Sequence, residues 1–198
     1  DGFFGRRRDQ GYESRIPPGQ SRTDSYPVLS FGPTPRMDLT KWRLVVRHER
    51  EELGALNWAD FNALKQTEFT RDIHCVTRWT KLDMKWKGVL FDDILSALGI
   101  EPATGHVTFH GADGYTTNLP LADLRGDKAM AATQYDGQAV TADHGGPIRM
   151  VVPHLYFWKS SKWLTGITFT NVDRPGFWER GGYHNYGDPW TEQRFSDD

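Results

Sequence analysis

Hydrophobic residues recur with helical spacing in one short stretch of the chain. Between residues 91 and 98 the apolar positions are spaced i, i+3, i+4 and i+7, and Gly99 follows as a C-terminal stop. This pattern predicts an amphipathic helix over 91–98. A second, shorter helix is predicted over 57–64, where Asn57 can cap the first turn and apolar residues share one face.

Strand-like patterns account for most of the other hydrophobic positions. Asp113-Gly114 and Asp136-Gly137 supply turn residues between them. The pattern predicts one α+β domain over residues 26–198, with strand-rich mixed sheets and short helices. Residues 1 to about 25 are polar and interrupted by Gly and Pro, which predicts an extended or disordered arm. The predicted strands are 42–46, 68–76, 106–110, 115–119, 129–135, 148–152 and 162–169.

Composition and charge argue against several classes of partner. A formal net charge of −2 over 198 residues gives no reason to expect nucleic acid or an anionic membrane. No apolar run approaches the roughly 20 residues that a membrane-spanning helix needs. Arg6-Arg7-Arg8 is not followed by an apolar stretch, so an export signal is not predicted. We expect a cytoplasmic monomer, with a periplasmic location as the alternative if a leader was removed before Asp1.

Cys75 is the only cysteine in the chain, and it lies among polar, basic and aromatic residues. It cannot form an intrachain disulfide, so its role is packing, nucleophilic chemistry or metal binding. His74 would face the opposite side of a strand, which weakens a Cys–His dyad. A thiolate is a suitable ligand for a transition metal, and Arg71, Arg78 and Lys81 would help to hold it deprotonated. These residues alone leave the structural and the reactive roles equally open.

The segment 144–163 combines a Gly-Gly-Pro turn, an apolar run and several cations. The two glycines allow the backbone to approach a ligand closely. A guanidinium fork, ammonium groups and hydroxyls in one segment suit a phosphate monoester. A solvated basic edge of the domain would have the same composition and, by charge alone, is the more common case. The donors are Arg149, Lys159, Ser160, Ser161 and Lys162.

Three blocks follow one another in the chain: His74-Cys75-Val76-Thr77-Arg78-Trp79, Tyr115-Thr116-Thr117-Asn118-Leu119-Pro120-Leu121, and the segment from Gly145-Gly146-Pro147 to Lys162. In this order they resemble the molybdopterin-binding domain of the sulfite oxidase superfamily. The chain is most similar to the bacterial single-domain sulfite oxidase-like proteins, relatives of the catalytic subunit of the periplasmic methionine sulfoxide reductase. The resemblance runs from about residue 17 to residue 190, and it implies the sulfite oxidase molybdopterin-binding fold.

The resemblance also implies roles for particular residues. Cys75 matches the cysteine whose thiolate binds molybdenum beside the dithiolene of a single molybdopterin. His144 and Arg149 match positions that contact the pterin and its phosphate, and Ser160-Ser161-Lys162 match the segment around the phosphate. Gly111 falls near a position that also touches the cofactor in relatives.

Two further sets of residues are candidates for contacts with the substrate or the cofactor. Arg78 and His110 are candidate catalytic residues that touch the substrate, because a guanidinium suits an oxyanion and an imidazole can donate a hydrogen bond or a proton. Both could equally be structural residues. The stretch Leu29-Ser30-Phe31 falls where relatives add backbone contacts.

The activity implied is two-electron oxygen-atom transfer on a small sulfur or nitrogen oxyanion or oxide, with the Mo-molybdopterin carrying the chemistry. The chain has no haem domain, so electrons would pass to or from a separate haem protein or quinone-linked partner. Arg78 does not reproduce the Cys-x-x-Asn-Arg pattern of true sulfite oxidases, so an S- or N-oxide reductase is as plausible as a sulfite oxidase. Two alternatives stay open: a cofactor-free binding module with the same fold, and a free-thiol enzyme that uses Cys75 as nucleophile.

Overall fold

The computed structural model describes residues 11–198. Within them, three α-helices connect or flank two β-sheets, and short 3-10 turns fill several of the connections. The helices are α1 (Trp58–Asn62), α2 (Phe91–Leu98) and α3 (Phe177–Arg180). The strands are β1 (Ser21–Arg22), β2 (Arg43–His48), β3 (Glu51–Asn57), β4 (Thr67–His74), β5 (Trp79–Leu90), β6 (His106–Gly111), β7 (Thr116–Pro120), β8 (Met130–Tyr135), β9 (Gln138–Ala139), β10 (Arg149–Val151) and β11 (Leu164–Thr170).

The strands form two mixed sheets. In the first sheet the order is β1-β5-β8-β10, with β4 also paired to β5 and β9 to β8. In the second the order is β3-β2-β11-β6-β7. Two pairings are parallel, β1 with β5 and β11 with β2, and the others are antiparallel. The α+β class and the mixed sheets are as the sequence predicts.

The core consists of two hydrophobic clusters. The larger joins the inner face of the second sheet to α2, and it includes Leu44, Phe91 and Phe109, all fully buried. The smaller lies in the first sheet and contains Trp86 and Cys75. Burial of this much aromatic and aliphatic surface is the main stabilising contribution to the fold. Cys75 is therefore held against a packed wall.

Both predicted helices form. The helix over 91–98 has the predicted bounds, and Gly99 ends it with φ 66°, a conformation that favours glycine. Asn57 caps α1, since its side chain accepts a hydrogen bond from Asp60 N at 2.8 Å. This helix ends at residue 62 rather than 64.

The part of the predicted N-terminal arm that the structure describes, residues 11–25, contains a 3-10 turn at Glu13–Arg15 and a short strand, and it packs on the domain. Ser21–Arg22 pairs in parallel with the start of β5. Arg15 forms an ion pair with Asp72 and another with Asp83. The first ten residues of the arm lie outside the described part, and a domain boundary near residue 25 stays a prediction. Within residues 11–198 we find no helix with the length and apolarity to cross a membrane.

Candidate functional site

Cys75 lies in the tight turn between β4 and β5. The turn is closed by backbone hydrogen bonds from Cys75 N to Trp79 O (2.9 Å) and from Arg78 N to Cys75 O (3.0 Å). Arg78 has φ 78°, a strained conformation for a residue with a Cβ. Since the chain turns here, Cys75 leaves the alternation of the strand and faces a cavity. The Thr77 hydroxyl donates a hydrogen bond to Cys75 Sγ at 3.0 Å.

A half-buried and a buried side chain, Gln20 and Arg194, brace this turn from outside. Gln20 Nε2 donates to Cys75 O (3.0 Å) and Trp79 O (2.8 Å), the two ends of the turn. Arg194 Nη1 donates to Val76 O at 2.6 Å, and Arg194 Nη2 donates to Gln20 Oε1. Arg194 is 2% exposed. Residues from both ends of the described chain therefore fix the carbonyls on either side of the thiol.

The thiol opens into a cavity of about 300 Å³. Most of the residues in its wall are aromatic or aliphatic, and polar side chains make up the smaller part. The size and the apolar wall with sparse polar groups are typical of small-molecule and cofactor sites. The lining residues are Tyr26, Pro27, Leu29, Ser30, Phe31, Cys75, Val76, Thr77, Trp79, Asp113, Tyr115, His144, Arg149, Phe157, Trp158, Ser160, Lys162, Trp163, Trp178 and Tyr183.

Burial raises the pKa of the Cys75 thiol, while the hydrogen bonds from Thr77 and the charge of Arg194 lower it. The expectation that Arg71, Arg78 and Lys81 hold the thiol deprotonated is wrong. Their charged groups are engaged elsewhere: with Asp127, Glu192 and the Asp24 carbonyl respectively. A neutral thiol is thus favoured in the protein alone, and a bound metal cation is the kind of partner that would stabilise the thiolate.

His144 enters the cavity from a 3-10 turn, Ala142–His144. Its ring stacks on Tyr26 with centroids 3.6 Å apart. Its Nδ1 is buried and has no hydrogen-bond partner among residues 11–198. The turn that follows needs glycine, because Gly145 has φ 104° and a Cβ there would lie 2.9 Å from Lys162 Cβ. The orphaned Nδ1 is a group that a bound ligand could satisfy.

Arg149 is 1% exposed, and it lines the cavity. It donates to His144 O (2.7 Å), Ser160 O (2.8 Å) and Tyr26 Oη (3.1 Å). Its carbon Cζ lies 4.2 Å from the centre of the Phe157 ring. Among the described residues no carboxylate forms an ion pair with Arg149. A buried cation without a counter-ion is costly, so this site favours a bound anion.

Lys162 is the second cation of the cavity. Its Nζ donates to Leu29 O (2.7 Å), Asp143 O (2.9 Å) and Ser30 Oγ (3.2 Å). Burial and, secondarily, the Arg149 charge lower the pKa of Lys162 to about 8, against weaker opposing contributions. Like Arg149, it has no carboxylate ion-pair partner in the described part of the chain. The contact with Leu29 and Ser30 brings the predicted 29–31 stretch to the cavity.

The two serines of the predicted phosphate segment differ in position. Ser160 lines the cavity, and its Oγ accepts a hydrogen bond from Val152 N at 2.8 Å. Ser161 is fully buried and does not line it. Lys159 points away, into a buried ion pair with Glu179 at 2.9 Å. Of the five donors in the segment, Arg149, Ser160 and Lys162 therefore meet at the cavity.

Three other predicted site residues do not line the cavity. Arg78 is exposed and forms an ion pair with Glu192 at 3.7 Å. His110 lies on the outer face of β6, where its Nε2 is 2.8 Å from Thr168 Oγ1. Gly111 is behind the wall: a Cβ there would lie 2.8 Å from Lys162 O, so glycine allows the close approach of these two segments. The structure thus places the side chains of Arg78 and His110 outside the Cys75 cavity.

Sequence reasoning missed several residues of the cavity. Tyr26 contacts both His144 and Arg149, yet it comes from the border of the predicted arm. The sequence pattern identifies Asp113 only as a turn residue, whereas its side chain lines the cavity. The aromatic wall includes Trp178 and Tyr183 from the C-terminal region, whose high aromatic content was the available signal.

Within residues 11–198, the cavity therefore combines a buried thiol with two cations that lack carboxylate partners, an orphaned imidazole nitrogen and many aromatic side chains. A family model described as oxidoreductase molybdopterin binding domain matches residues 31–178. The chain belongs to this family. The residues present fit the group that the family binds, since a pterin is flat and aromatic and its phosphate is anionic.

Relatives of this oxidoreductase molybdopterin-binding domain support the assignment. It is 46% identical over 195 residues to the uncharacterized oxidoreductase YuiH of Bacillus subtilis, covering 98% of each chain. It is 30% identical over 152 residues to YedZ1 of Azospira oryzae, a putative protein-methionine-sulfoxide reductase subunit, covering 76% of this chain and 57% of that protein. It is 36% identical over 112 residues to mitochondrial sulfite oxidase of Drosophila melanogaster, covering 52% of this chain and 19% of that protein.

A solved structure shows the same fold. The sulfane dehydrogenase SoxCD of Paracoccus pantotrophus matches with a TM-score of 0.62 and 19% identity, over 70% of this chain and 40% of that chain. The molybdopterin-binding domain is thus of the sulfite oxidase type, as the sequence blocks indicate. The protein is a molybdopterin-dependent oxidoreductase.

Proposed function

We propose that this protein catalyses two-electron oxygen-atom transfer on a small sulfur or nitrogen oxide or oxyanion, with the Cys75 thiolate as the protein ligand of molybdenum. The observation that carries the proposal is the convergence of the chain's only thiol with Arg149 and Lys162 on one cavity. A soft thiolate suits molybdenum as a ligand.

Different residues would bind different parts of the cofactor. Cys75 would take the metal end, and Arg149, Lys162 and Ser160 would take the phosphate end with charge-assisted hydrogen bonds. His144 would contact the pterin through its orphaned Nδ1. When bound, the molybdenum cofactor supplies the two-electron oxygen-atom chemistry.

The chain's own groups then orient and shield the reaction. The Thr77 hydrogen bond fixes the direction of Cys75 Sγ and modulates the electron density on sulfur. Phe31 and Phe177, with ring centroids 4.4 Å apart, form an apolar rim that would limit access of water. Electrons would pass to or from a redox partner such as a haem protein or a quinone-linked protein.

The substrate contacts expected from Arg78 and His110 find no support, because neither residue lines the cavity. Arg149 is engaged with carbonyl oxygens at the proposed phosphate end. A neutral S- or N-oxide therefore suits this apolar wall better than sulfite, which needs cationic contacts when it binds. This preference is part of the proposal.

The free-thiol alternative is disfavoured by burial. Cys75 is 5% exposed, and its surroundings raise the pKa of the thiol, whereas reactive nucleophilic cysteines are accessible and have a lowered pKa. A cofactor-free binding module would leave Arg149 buried without a counter-ion, which is a costly arrangement to retain.

Metal and pterin content test the proposal. Protein from a host that makes the cofactor should contain molybdenum and a fluorescent pterin in equal amounts. Cys75→Ser should lose molybdenum and all oxygen-atom transfer while keeping its fold, because serine is nearly isosteric but a harder ligand. A folded wild-type protein without metal and pterin, or full turnover by Cys75→Ser, would refute the assignment.

A further inference from the structure

A second hollow lies on the outer face of the second sheet, the face turned away from the core. Its volume is about 480 Å³, within the range of small-molecule sites. Strands β2, β11, β6 and β7 form its floor, and the segment 174–180 forms one wall. None of the residues that line it lines the Cys75 cavity. We call this hollow the outer groove.

Strand register explains why the floor of the outer groove is polar. Thr168 on β11 is paired with Arg47 on β2 and with Thr108 on β6, so these three side chains share the outer face. His110 on β6 is paired with Thr116 on β7 in the next row. The hydroxyls of Thr108 and Thr116 make no hydrogen bond within the described chain, and neither oxygen is sealed from solvent. They are available to a ligand.

Four guanidinium groups surround this floor. Among the described residues that line the groove there is one carboxylate, Glu49, which forms an ion pair with Arg174 at 2.7 Å. Arg47 and Arg50 form no ion pair among the described residues. This excess of positive charge is local, since the chain as a whole has a formal net charge of −2. The four arginines are Arg47, Arg50, Arg174 and Arg180.

We propose that the outer groove binds a small organic anion that carries a phosphate or sulfate group. Guanidinium forks match the oxygens of such groups, and free hydroxyls complete their coordination. Arg47 and Arg50 would bind the anion, with Thr108 and Thr116 as hydroxyl donors. A groove of this volume has room for an organic body beyond the tetrahedral group. The proposal stands apart from the chemistry at Cys75 and does not depend on it.

The wall formed by residues 174–180 lies between the outer groove and the Cys75 cavity and contributes side chains to both. Arg174 and Arg180 face the groove, whereas Trp178 lines the cavity. Between them Phe177 packs against Phe31 of the cavity rim with the two rings tilted. An anion held by the arginines would therefore order the segment that closes one side of the cavity.

Calorimetric titration of the cofactor-loaded protein tests the proposal, with inorganic phosphate, sulfate, glycerol phosphate and adenosine monophosphate as probes. We expect saturable binding that weakens at least about tenfold in the double variant Arg47→Gln/Arg50→Gln, because two charge-assisted contacts are lost. Lys41→Gln/Lys65→Gln removes the same charge from exposed positions outside the groove and should change the affinity less than about twofold. Tighter binding of the esters than of free phosphate identifies an organic ligand, and equal binding identifies the free oxyanion.

Hydrogen exchange locates the bound anion. Saturation should slow exchange of the amides of residues 174–180 and of the turn at 49–50, and leave those of 75–79 unchanged. Lys162→Met should still bind the anion in the groove, which separates this site from the phosphate end of the cavity. Absence of saturable binding, or binding lost in Lys162→Met and retained in the double arginine variant, would overturn the proposal.

Discussion

Lys162 is the residue whose protonation most directly controls anion binding in the cavity. Burial lowers its pKa to about 8, so it loses its charge well below the range of an ordinary lysine. A phosphate monoester has its second pKa near about 6 and is a dianion across this range. Any loss of affinity above about pH 8 therefore reflects the lysine, and Arg149 stays charged throughout.

We expect the cofactor-free protein to bind a phosphate monoester in the cavity less tightly as the pH rises through about 8. The bound anion raises the pKa of Lys162, so the midpoint should lie somewhat higher. The measurement is calorimetric titration of protein that also carries Arg47→Gln/Arg50→Gln, so that anion binding in the outer groove does not contribute to the signal. Lys162→Met should bind more weakly and without this pH dependence. The same slope in both proteins would assign the titration to another group.

Several site residues were predictable from residue type and spacing alone. Arg149, Ser160 and Lys162 form a donor-rich segment, and they meet at the cavity. The chemistry of Arg78 and His110 makes them candidates for substrate contact, but residue type does not reveal where a side chain points. The turn after Cys75 leaves Arg78 exposed, and the pleat of β6 turns His110 to the outer face. Tyr26 escaped notice because its stacking on His144 joins positions far apart in the chain.

Among the structural elements, the turn at 75–79 depends most on residues outside it. Gln20 links both of its ends, and Arg194 holds Gln20 in place. Gln20→Ala removes two hydrogen bonds to part-buried carbonyls, so we expect the free energy of unfolding to fall by about 1–3 kcal/mol. Urea denaturation measures this. Because the variant also frees the carbonyl of Cys75, molybdenum should be lost faster on dialysis against chelator.

Gln138→Ala is the matched control for this change. Gln138 is exposed and lies in the short edge strand β9. Its replacement should change the free energy of unfolding by less than about 0.5 kcal/mol and leave metal retention unaltered. Equal metal retention in Gln20→Ala and wild type would show that the brace supports the fold and does not position Cys75.

The close pairing of β5 with β8 at Gly88 supplies a second test at the scale of elements. A Cβ on Gly88 would collide with the backbone carbonyl of Ala131, and backbone cannot yield as a flexible side chain can. We expect Gly88→Ala to lower the free energy of unfolding by about 1–3 kcal/mol or more through overpacking. Gly105→Ala, where nothing lies within 4 Å, should be close to neutral. Denaturant unfolding of Gly88→Ala and Gly105→Ala compares the two variants directly. Similar unfolding midpoints would contradict the close approach of Gly88 to the backbone of Ala131.

The elements themselves were only partly predictable from periodicity. The helix over 91–98 has both a clear apolar face and a glycine stop, and it forms with those bounds. Strand β3 was missed because it begins with Glu51 and Glu52 and lies at the edge of its sheet, where charged residues are common. Strand β5 also lies outside every predicted strand, although residues 81–87 alternate between polar and apolar positions as a half-buried strand does.

At the scale of the whole molecule, the pairing of distant strands decides where the site lies. The parallel pairing of β11 with β2 joins residues more than a hundred positions apart, and no local pattern specifies it. That pairing creates the outer groove. The cavity likewise draws Tyr26, Cys75 and Tyr183 from the beginning, middle and end of the chain. The sequence blocks indicated the family, but not this arrangement of the parts.

The C-terminal region is held over the cavity by one buried ion pair. Lys159 and Glu179 have side chains that are 0% and 1% exposed, with Nζ and Oε2 2.9 Å apart. The same Oε2 accepts hydrogen bonds from Thr117 and from the indole of Trp158. This pair therefore connects α3 to a strand and to the cavity wall. Removing the lysine alone leaves a buried carboxylate without its cation.

We expect Lys159→Met to lower the free energy of unfolding by about 3–5 kcal/mol, the usual result of leaving one buried charge unpaired. Lys159→Met/Glu179→Gln should regain part of this loss, because the neutral amide can still accept from Thr117 and Trp158 without needing a cation. Chemical denaturation of the three proteins measures both differences. A double variant no more stable than the single one would mean that the lysine acts mainly through its bonds to the Asn118 and Asn185 carbonyls. The C-terminal region would then be held by hydrogen bonds and not by charge.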